Sequence, residues 1–230
     1  MTEPITIRAF RAIDEPETCQ KFYKGHIDAL RSFGVEPISS AKIEWIENPN
    51  VFGVIAEYNN KILGGVKLHR YDYNYKLPIE NSVGYLDDKI FKIIEKNRTK
   101  NLGELCGLWN TREIAGRGLG YVLLRALVVI TSQVQVDTLI SLSSDHTIKM
   151  LRGLGYRVIR TLGNNGEFLF PTKDYIARVM ILNSKTLSWA LPYNKTTMLS
   201  LRDKPEQFRI ESGNKGKINV KYNLNISVLV

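Results

Sequence analysis

The residues best suited to do chemistry stand in one run, Leu105-Cys-Gly-Leu-Trp-Asn-Thr-Arg-Glu-Ile-Ala-Gly-Arg-Gly-Leu-Gly-Tyr-Val-Leu. A strand-like stretch enters a loop with glycines at 116, 118 and 120, and an apolar helical stretch follows at once. Glycine permits positive φ and close approach, so several backbone N–H groups can converge on one anion while the helix N-terminus adds its partial positive charge. That is a cradle for a diphosphate. The plainer reading is that three glycines make a tight strand-to-helix turn. The run is neither Gly-x-Gly-x-x-Gly with an acidic residue about 20 positions on, nor a phosphate loop ending in Gly-Lys-Ser/Thr.

The surrounding elements must place this turn. Ile5 to Phe10 reads as a first strand, followed by a helix from a capping-box-like start at Asp14 and Glu17 to Phe33. A short helix is expected over Ser39 to Ile46. Val51 to Tyr58 and Ile62 to His69 form a hairpin around Asn59-Asn60-Lys61. Tyr71 to Leu102 is a long connection with one helical stretch, Leu86 to Lys96. Then come a strand (Glu104 to Trp109), the turn, a helix to about Ser132, a strand (Thr138 to Ser143) and a helix (Asp145 to Arg152), an order that implies a parallel crossover. Strands follow near Phe168 and over Ile176 to Leu182, then a polar stretch, Asn194 to Gln207. Phe208 to Glu211 and Ile218 to Val228 flank Ser212-Gly-Asn-Lys-Gly-Lys217 as a C-terminal hairpin, which could cover the edge of the main sheet or a partner subunit, as in a homodimer.

At 230 residues the chain suits one large domain or a domain with an appendage. Composition is ordinary for a globular protein, with 43% hydrophobic and 24% charged residues. The net charge of +9 favours an anionic partner. Basic residues are nevertheless scattered, and the runs at Lys96 to Lys100 and Lys215 to Lys217 lack the interleaved aromatics of a single-strand binder, which argues against nucleic acid. The two cysteines, Cys19 and Cys106, have no paired spacing and no His cluster, so neither a disulfide framework nor a metal site is expected. No apolar run is long enough for a membrane span, and the expected setting is cytoplasmic.

Ala115 to Gly120 resembles the pyrophosphate-binding motif of the GNAT superfamily of N-acyltransferases, Arg/Gln-x-x-Gly-x-Gly/Ala; Gly118 and Gly120 match, and Ala115 replaces the first side chain. Asp145 to Tyr156 resembles the family's second motif, with Leu151 where a tyrosine is frequent. The resemblance covers about Ile5 to Leu182. It implies an α/β (α+β) fold with a mixed, largely antiparallel central sheet flanked by helices. The GNAT-like domain would span 1–193, and a C-terminal β-hairpin extension 194–230. It also implies a co-substrate, acetyl-CoA or a longer acyl-CoA. Backbone groups of Leu108, Trp109 and Asn110 would meet its pantetheine arm, and Ala115, Gly116, Arg117, Gly118, Leu119, Gly120 and Tyr121 its pyrophosphate. Arg112 or Arg117 would meet the adenosine phosphates or stay solvated. Glu104, at the start of the preceding strand, is the candidate base. The acid is Tyr121, Ser144 or His146, or no side chain at all. Cys106 reads as a packing thiol, so direct transfer is expected. Trp109 lines the acyl or acceptor pocket, or is core.

The connection from Tyr71 to Leu102 also looks like the insertion in long-chain N-acyl amino acid and acyl-homoserine lactone synthases, which would allow a longer donor or an acyl carrier protein as partner. The acceptor is expected to be a small-molecule amine, in a pocket assembled from Phe22 to Phe33, Tyr71 to Tyr85 and Phe168 to Tyr175. Rival readings are a catalytically silent acyl-CoA binder and a basic RNA-binding module.

Overall fold

The computed structural model describes residues 3–32, 34 and 43–226. Ten strands form one mixed sheet: β1 (Ile5–Arg11), β2 (Val51–Tyr58), β3 (Lys61–Arg70), β4 (Leu102–Asn110), β5 (Thr138–Ser144), β6 (Arg157–Val158), β7 (Glu167–Leu169), β8 (Ile176–Asn183), β9 (Glu206–Gly213) and β10 (Gly216–Asn223). Their order is β6-β8-β5-β4-β3-β2-β1-β10-β9, with β7 pairing β8. Only β4–β5 and β1–β10 are parallel. The helices are α1 (Pro16–Ser32), α2 (Pro78–Val83), α3 (Lys89–Arg98), α4 (Leu119–Ile130), α5 (Asp145–Gly153) and α6 (Pro192–Asp203).

Alternation along the strands explains the two helical layers. Phe52, Val54 and Ala56 of β2 point to one face, with Leu105, Leu139 and Met180, and pack under α4, α5 and α6. Val51, Ile55 and Trp109 face the other side, with Phe22 of α1, while Leu102, Ile140 and Val179 meet α2 and α3 there. The β2–β3 turn is made by Asn59 and Asn60 at φ 48° and 61°, the left-handed pair that a two-residue hairpin loop demands.

The mixed, mostly antiparallel sheet agrees with the sequence reading, and several local expectations change. Helix α1 starts at Pro16 rather than Asp14: Cys19 N–H donates to Glu15 O at 3.0 Å, while Asp14 sits in a short 3-10 turn. Proline fits the first helical position because its missing donor is not needed there. The helix expected over Leu86 to Lys96 is α3, and a further helix, α2, precedes it, started by Pro78 at its first turn and by Glu80, whose Oε2 accepts from Leu77 N–H at 2.6 Å. The polar stretch Asn194 to Gln207 is largely α6, which buries Asn194, Thr197, Met198 and Leu201 on one face. Residue 33 and the first part of the helix expected over Ser39 to Ile46 lie outside the described residues, as does the end of the strand drawn to Val228; Ile43–Glu47 forms a 3-10 turn. The hairpin β9–β10 joins the main sheet, with Ile5↔Val220 to Arg8↔Asn223 in parallel register.

Helix α4 is buried almost throughout, including its one charged residue, Arg125. Glu211 of β9 meets that guanidinium at 2.6 Å, both side chains 3% exposed, and also accepts from Tyr222 Oη at 3.0 Å. Removing one partner of such a pair strands a charge in the core. Arg125→Met should therefore cost about 3–5 kcal/mol of unfolding free energy in urea titration. Arg125→Met with Glu211→Leu should recover much of that loss.

Candidate active site

Strand β4 pairs with β5 only over Leu102↔Thr138, Gly103↔Leu139 and Glu104↔Ile140. Beyond Glu104 it pairs with β3 alone, so Leu105 to Asn110 present an unpaired edge. An open strand edge offers backbone donors and acceptors to an extended ligand. Gly107, at φ 64°, lies where the β3–β4 register slips. The bulge resets the alternation: Cys106 and Trp109 end on the α1 face, and Leu105 and Leu108 on the α4 face.

The Gly-rich turn follows directly. Gly116 and Gly118 take φ of 82° and 89°, and Gly118 caps α4. The N–H groups of Leu119, Gly120 and Tyr121 have no backbone acceptor among the described residues, as expected at a helix start. These amides and glycines fit the diphosphate cradle. The Leu119 side chain is core, 2% exposed, so only its backbone can serve there. Trp109 is likewise core, stacked edge-on against Phe22 at 5.8 Å and pressed on α1 at Gly25, where a Cβ would lie 2.1 Å from its ring. Arg112 is exposed and donates to Ser32 O at 3.1 Å, while Arg117 is half-buried in the loop.

Glu104 is 2% exposed at the point where β4 and β5 part. Its Oε2 accepts from Ile79 N–H at 2.8 Å, which ties α2 to the strand. Burial pushes its carboxyl up to about 8, against the pull of that hydrogen bond and of Lys67. Lys67, His69 and His26, which the sequence reading passed over, complete a buried polar cluster. His69 stands opposite Glu104, and Lys67 opposite Cys106. The Lys67 ammonium lies 4.2 Å above the Trp45 ring, a cation–π contact on the α1 face. Burial lowers Lys67 to about 8 and His26 to about 3, lowers His69 well below its usual value, and raises the thiols of Cys106 and Cys19 to about 12. Among the described residues, the nitrogens Trp45 Nε1, Trp109 Nε1 and His69 Nε2 are buried without a hydrogen-bond partner. The signal for Lys67 and His69 was present in Leu63-Gly-Gly-Val-Lys-Leu-His69, where Val66 and Leu68 claim one face and leave both polar side chains on the other.

The acid candidates scatter. Tyr121 Oη lies near Gly153, where a Cβ would be 3.4 Å away. His146 is exposed, and Ser144 caps α5 without a side-chain bond. Leu151 is buried in the core. Of the segments expected to line an acceptor pocket, Phe22, Phe168 and Phe170 are buried, whereas Tyr73 and Tyr85 are exposed.

A family model described as the acetyltransferase (GNAT) family matches residues 19–156. The chain belongs to this family. As a GNAT protein it is an acyl-CoA-dependent N-acyltransferase. No curated protein sequence matches it at a significant level. Its fold is similar to FeeM, an N-acyl amino acid synthase from uncultured soil microbes, with a TM-score of 0.60 at 14% identity over 80% of this chain and 99% of that one. It is also similar to the CoA-dependent acyl-homoserine lactone synthase BjaI, with a TM-score of 0.55 at 9% identity over 87% and 90%. An acyl-CoA N-acyltransferase from Pseudomonas aeruginosa gives 0.52 at 9% identity over 77% and 98%. Among the described residues, no helix is long and apolar enough to cross a membrane.

The Glu104 shift has a sign that stability can read. A carboxyl held at about 8 in the fold keeps its proton where the unfolded chain has lost it, so its contribution is complete below about 4.5 and is lost as pH rises towards 8. Compared with wild type, Glu104→Gln should gain relative stability between pH 5 and 8 and change no further above it, measured by urea unfolding at several pH values. A difference independent of pH would mean that Glu104 is ionised across the range.

Proposed function

We propose that this GNAT protein transfers an acyl group from acyl-CoA directly to the nitrogen of a small-molecule amine, with Glu104 taking the ammonium proton. The observation that supports the reading is the parting of β4 from β5 at Glu104, which leaves the edge Leu105–Asn110 open between that carboxyl and the Gly-rich turn that follows in the chain. In the proposed step the freed amine attacks the thioester carbonyl, the C–N bond forms as the C–S bond breaks, the nitrogen sheds its extra proton to solvent, and the departing thiolate takes one from solvent or from Tyr121. A carboxyl near 8 is matched to an amine's proton at neutral pH. Direct transfer is favoured over an acyl-cysteine because burial holds the Cys106 thiol at about 12, far from a ready thiolate.

The donor is acetyl-CoA on the first reading. A longer acyl chain, delivered by CoA or an acyl carrier protein, is favoured by one feature. The insertion helices α2 and α3 bring Leu77, Ile79, Val83, Ile90 and Ile94 into an apolar cluster with Leu102, two residues from Glu104 on β4.

Calorimetric titration with acetyl-, octanoyl- and palmitoyl-CoA distinguishes the two donors. An apolar channel should tighten binding by ~0.8 kcal/mol per buried methylene, whereas an acetyl site gives no gain with length. Gly120→Glu puts a negative charge at the first turn of α4, where a Cβ meets only the flexible Met150 side chain at 3.2 Å, and should abolish binding without unfolding the protein. Saturable binding with no thiol release across an amine panel would instead support the silent binder.

The base assignment has its own readout. Glu104→Gln should lower kcat/KM by ~10²–10³ and remove a rising limb centred near pH 8. A limb that persists in the variant would move the base elsewhere.

A further inference from the structure

The donor loop is held by a part of the chain that the family model does not reach. That match ends at residue 156, yet the tip of the β9–β10 hairpin lies against the loop. Lys215 N–H donates to Gly116 O at 2.9 Å. A Cβ on Gly213 would stand 2.3 Å from Gly116 O, 2.4 Å from Gly118 N and 2.5 Å from Arg117 C, and one on Gly118 would stand 2.6 Å from Ser212 O. No atom fits at such distances, so the two backbones are in direct contact, with glycine on both sides. The Cγ and Cδ atoms of Lys215 run beside Gly116, each 2.8 Å from where its Cβ would be. Arg117 and Lys217 line a cleft beside the same contact.

The hairpin is itself firmly anchored. Strand β10 continues the sheet beside β1, and Glu211 of β9 holds Arg125 on the helix that the loop introduces. One hairpin therefore grips both α4 and the turn before it. A loop with two glycines at positive φ has many alternatives in isolation, and ordering it on ligand binding would cost affinity.

We propose that the hairpin tip, Ser212 to Lys215, is a working part of the acyl-donor site. Its backbone holds Gly116–Gly118 in the phosphate-binding conformation, and Lys215 adds positive charge beside the loop. This rests on the donor reading above. Gly213 is a positioning residue, since it acts through the loop and not on the reacting atoms.

The test uses the full chain in three variants: Gly213→Ala, whose methyl must displace the loop; Lys215→Glu, an exposed charge reversal; and Lys204→Glu, the same reversal at the far end of β9. Isothermal titration with CoA and steady-state kinetics are the readouts. Gly213→Ala and Lys215→Glu should each raise the CoA Kd and the donor KM about tenfold, leaving kcat at saturating donor and the amine KM unchanged. Lys204→Glu should match wild type. A merely structural tip would instead lower the melting temperature or the active fraction without moving donor KM, and that result overturns the proposal. If Gly213→Ala does not fold, Lys215→Glu decides alone: CoA affinity equal to wild type overturns the proposal. Failure of wild type to bind any CoA ligand would overturn the donor reading itself, an outcome distinct from tight wild-type binding with unaffected variants.

Discussion

Strand β4 can satisfy its backbone on both sides only as far as Glu104. Up to that residue it is an interior strand between β3 and β5; past it, one edge is open. Much of the functional end of the molecule follows from this divergence. An unpaired edge inside a sheet is costly unless something accepts its hydrogen bonds, and an extended amide-bearing ligand such as a pantetheine arm is chemically suited to do so. The bulge at Gly107 falls in the open stretch and turns Trp109 onto the α1 face, where it packs against Gly25 and Phe22.

Helix α4 carries the second constraint. Its N-terminus must stand at the mouth of the divergence, while its body lies in the core with nearly every side chain buried. A helix that is apolar all round has no amphipathic stripe to orient it, so its rotation must be set by something more specific. Arg125 supplies this. A buried guanidinium has few places to go, and here its partners are Glu211 at 2.6 Å and Asn194 Oδ1 at 3.2 Å, one from β9 and one from α6. The C-terminal elements therefore index the helix whose first turn is proposed to form the cradle. Replacing such a pair with apolar groups often costs little stability, which suggests that its role is to fix geometry.

The sequence was most legible where local chemistry decides the structure. Three alternating glycines after a strand, the Asn59–Asn60 turn and the strand-helix-strand order around α4 each act within a few residues, and each takes the local conformation expected of it. What escaped notice depends on contacts between distant parts of the chain. The polarity of Asn194 to Gln207 hid α6 because Asn194 and Thr197 are buried by partners no local pattern reveals, among them Arg125, Gly153 O and Arg209. The tip Ser212-Gly-Asn-Lys-Gly reads as an ordinary hairpin turn, and nothing local says that Gly213 is small because another backbone lies against it. Lys67 was missed for a related reason: a lysine in a strand is ordinarily solvated, and only the packing of α1 over β3 makes it a buried cation.

The buried cluster around Glu104 has one electrostatic character with one leading cause. Desolvation raises the Glu104 carboxyl and the two thiols and lowers Lys67, His26 and His69, so every shift favours the neutral form. In the proposed reaction an amine brought beside this cluster would meet the same penalty on its ammonium form. Acyl transfer needs the nitrogen lone pair, so an environment that resists charge favours the reactive form before any base acts. In the proposed step Glu104 is the group of this cluster whose ionised form draws the departing proton and whose protonated form the surroundings then prefer. Lys67 opposes full neutralisation of that carboxyl and keeps a fraction of it ionised near neutral pH, which gives a buried cation on an aromatic ring a chemical reason to be there.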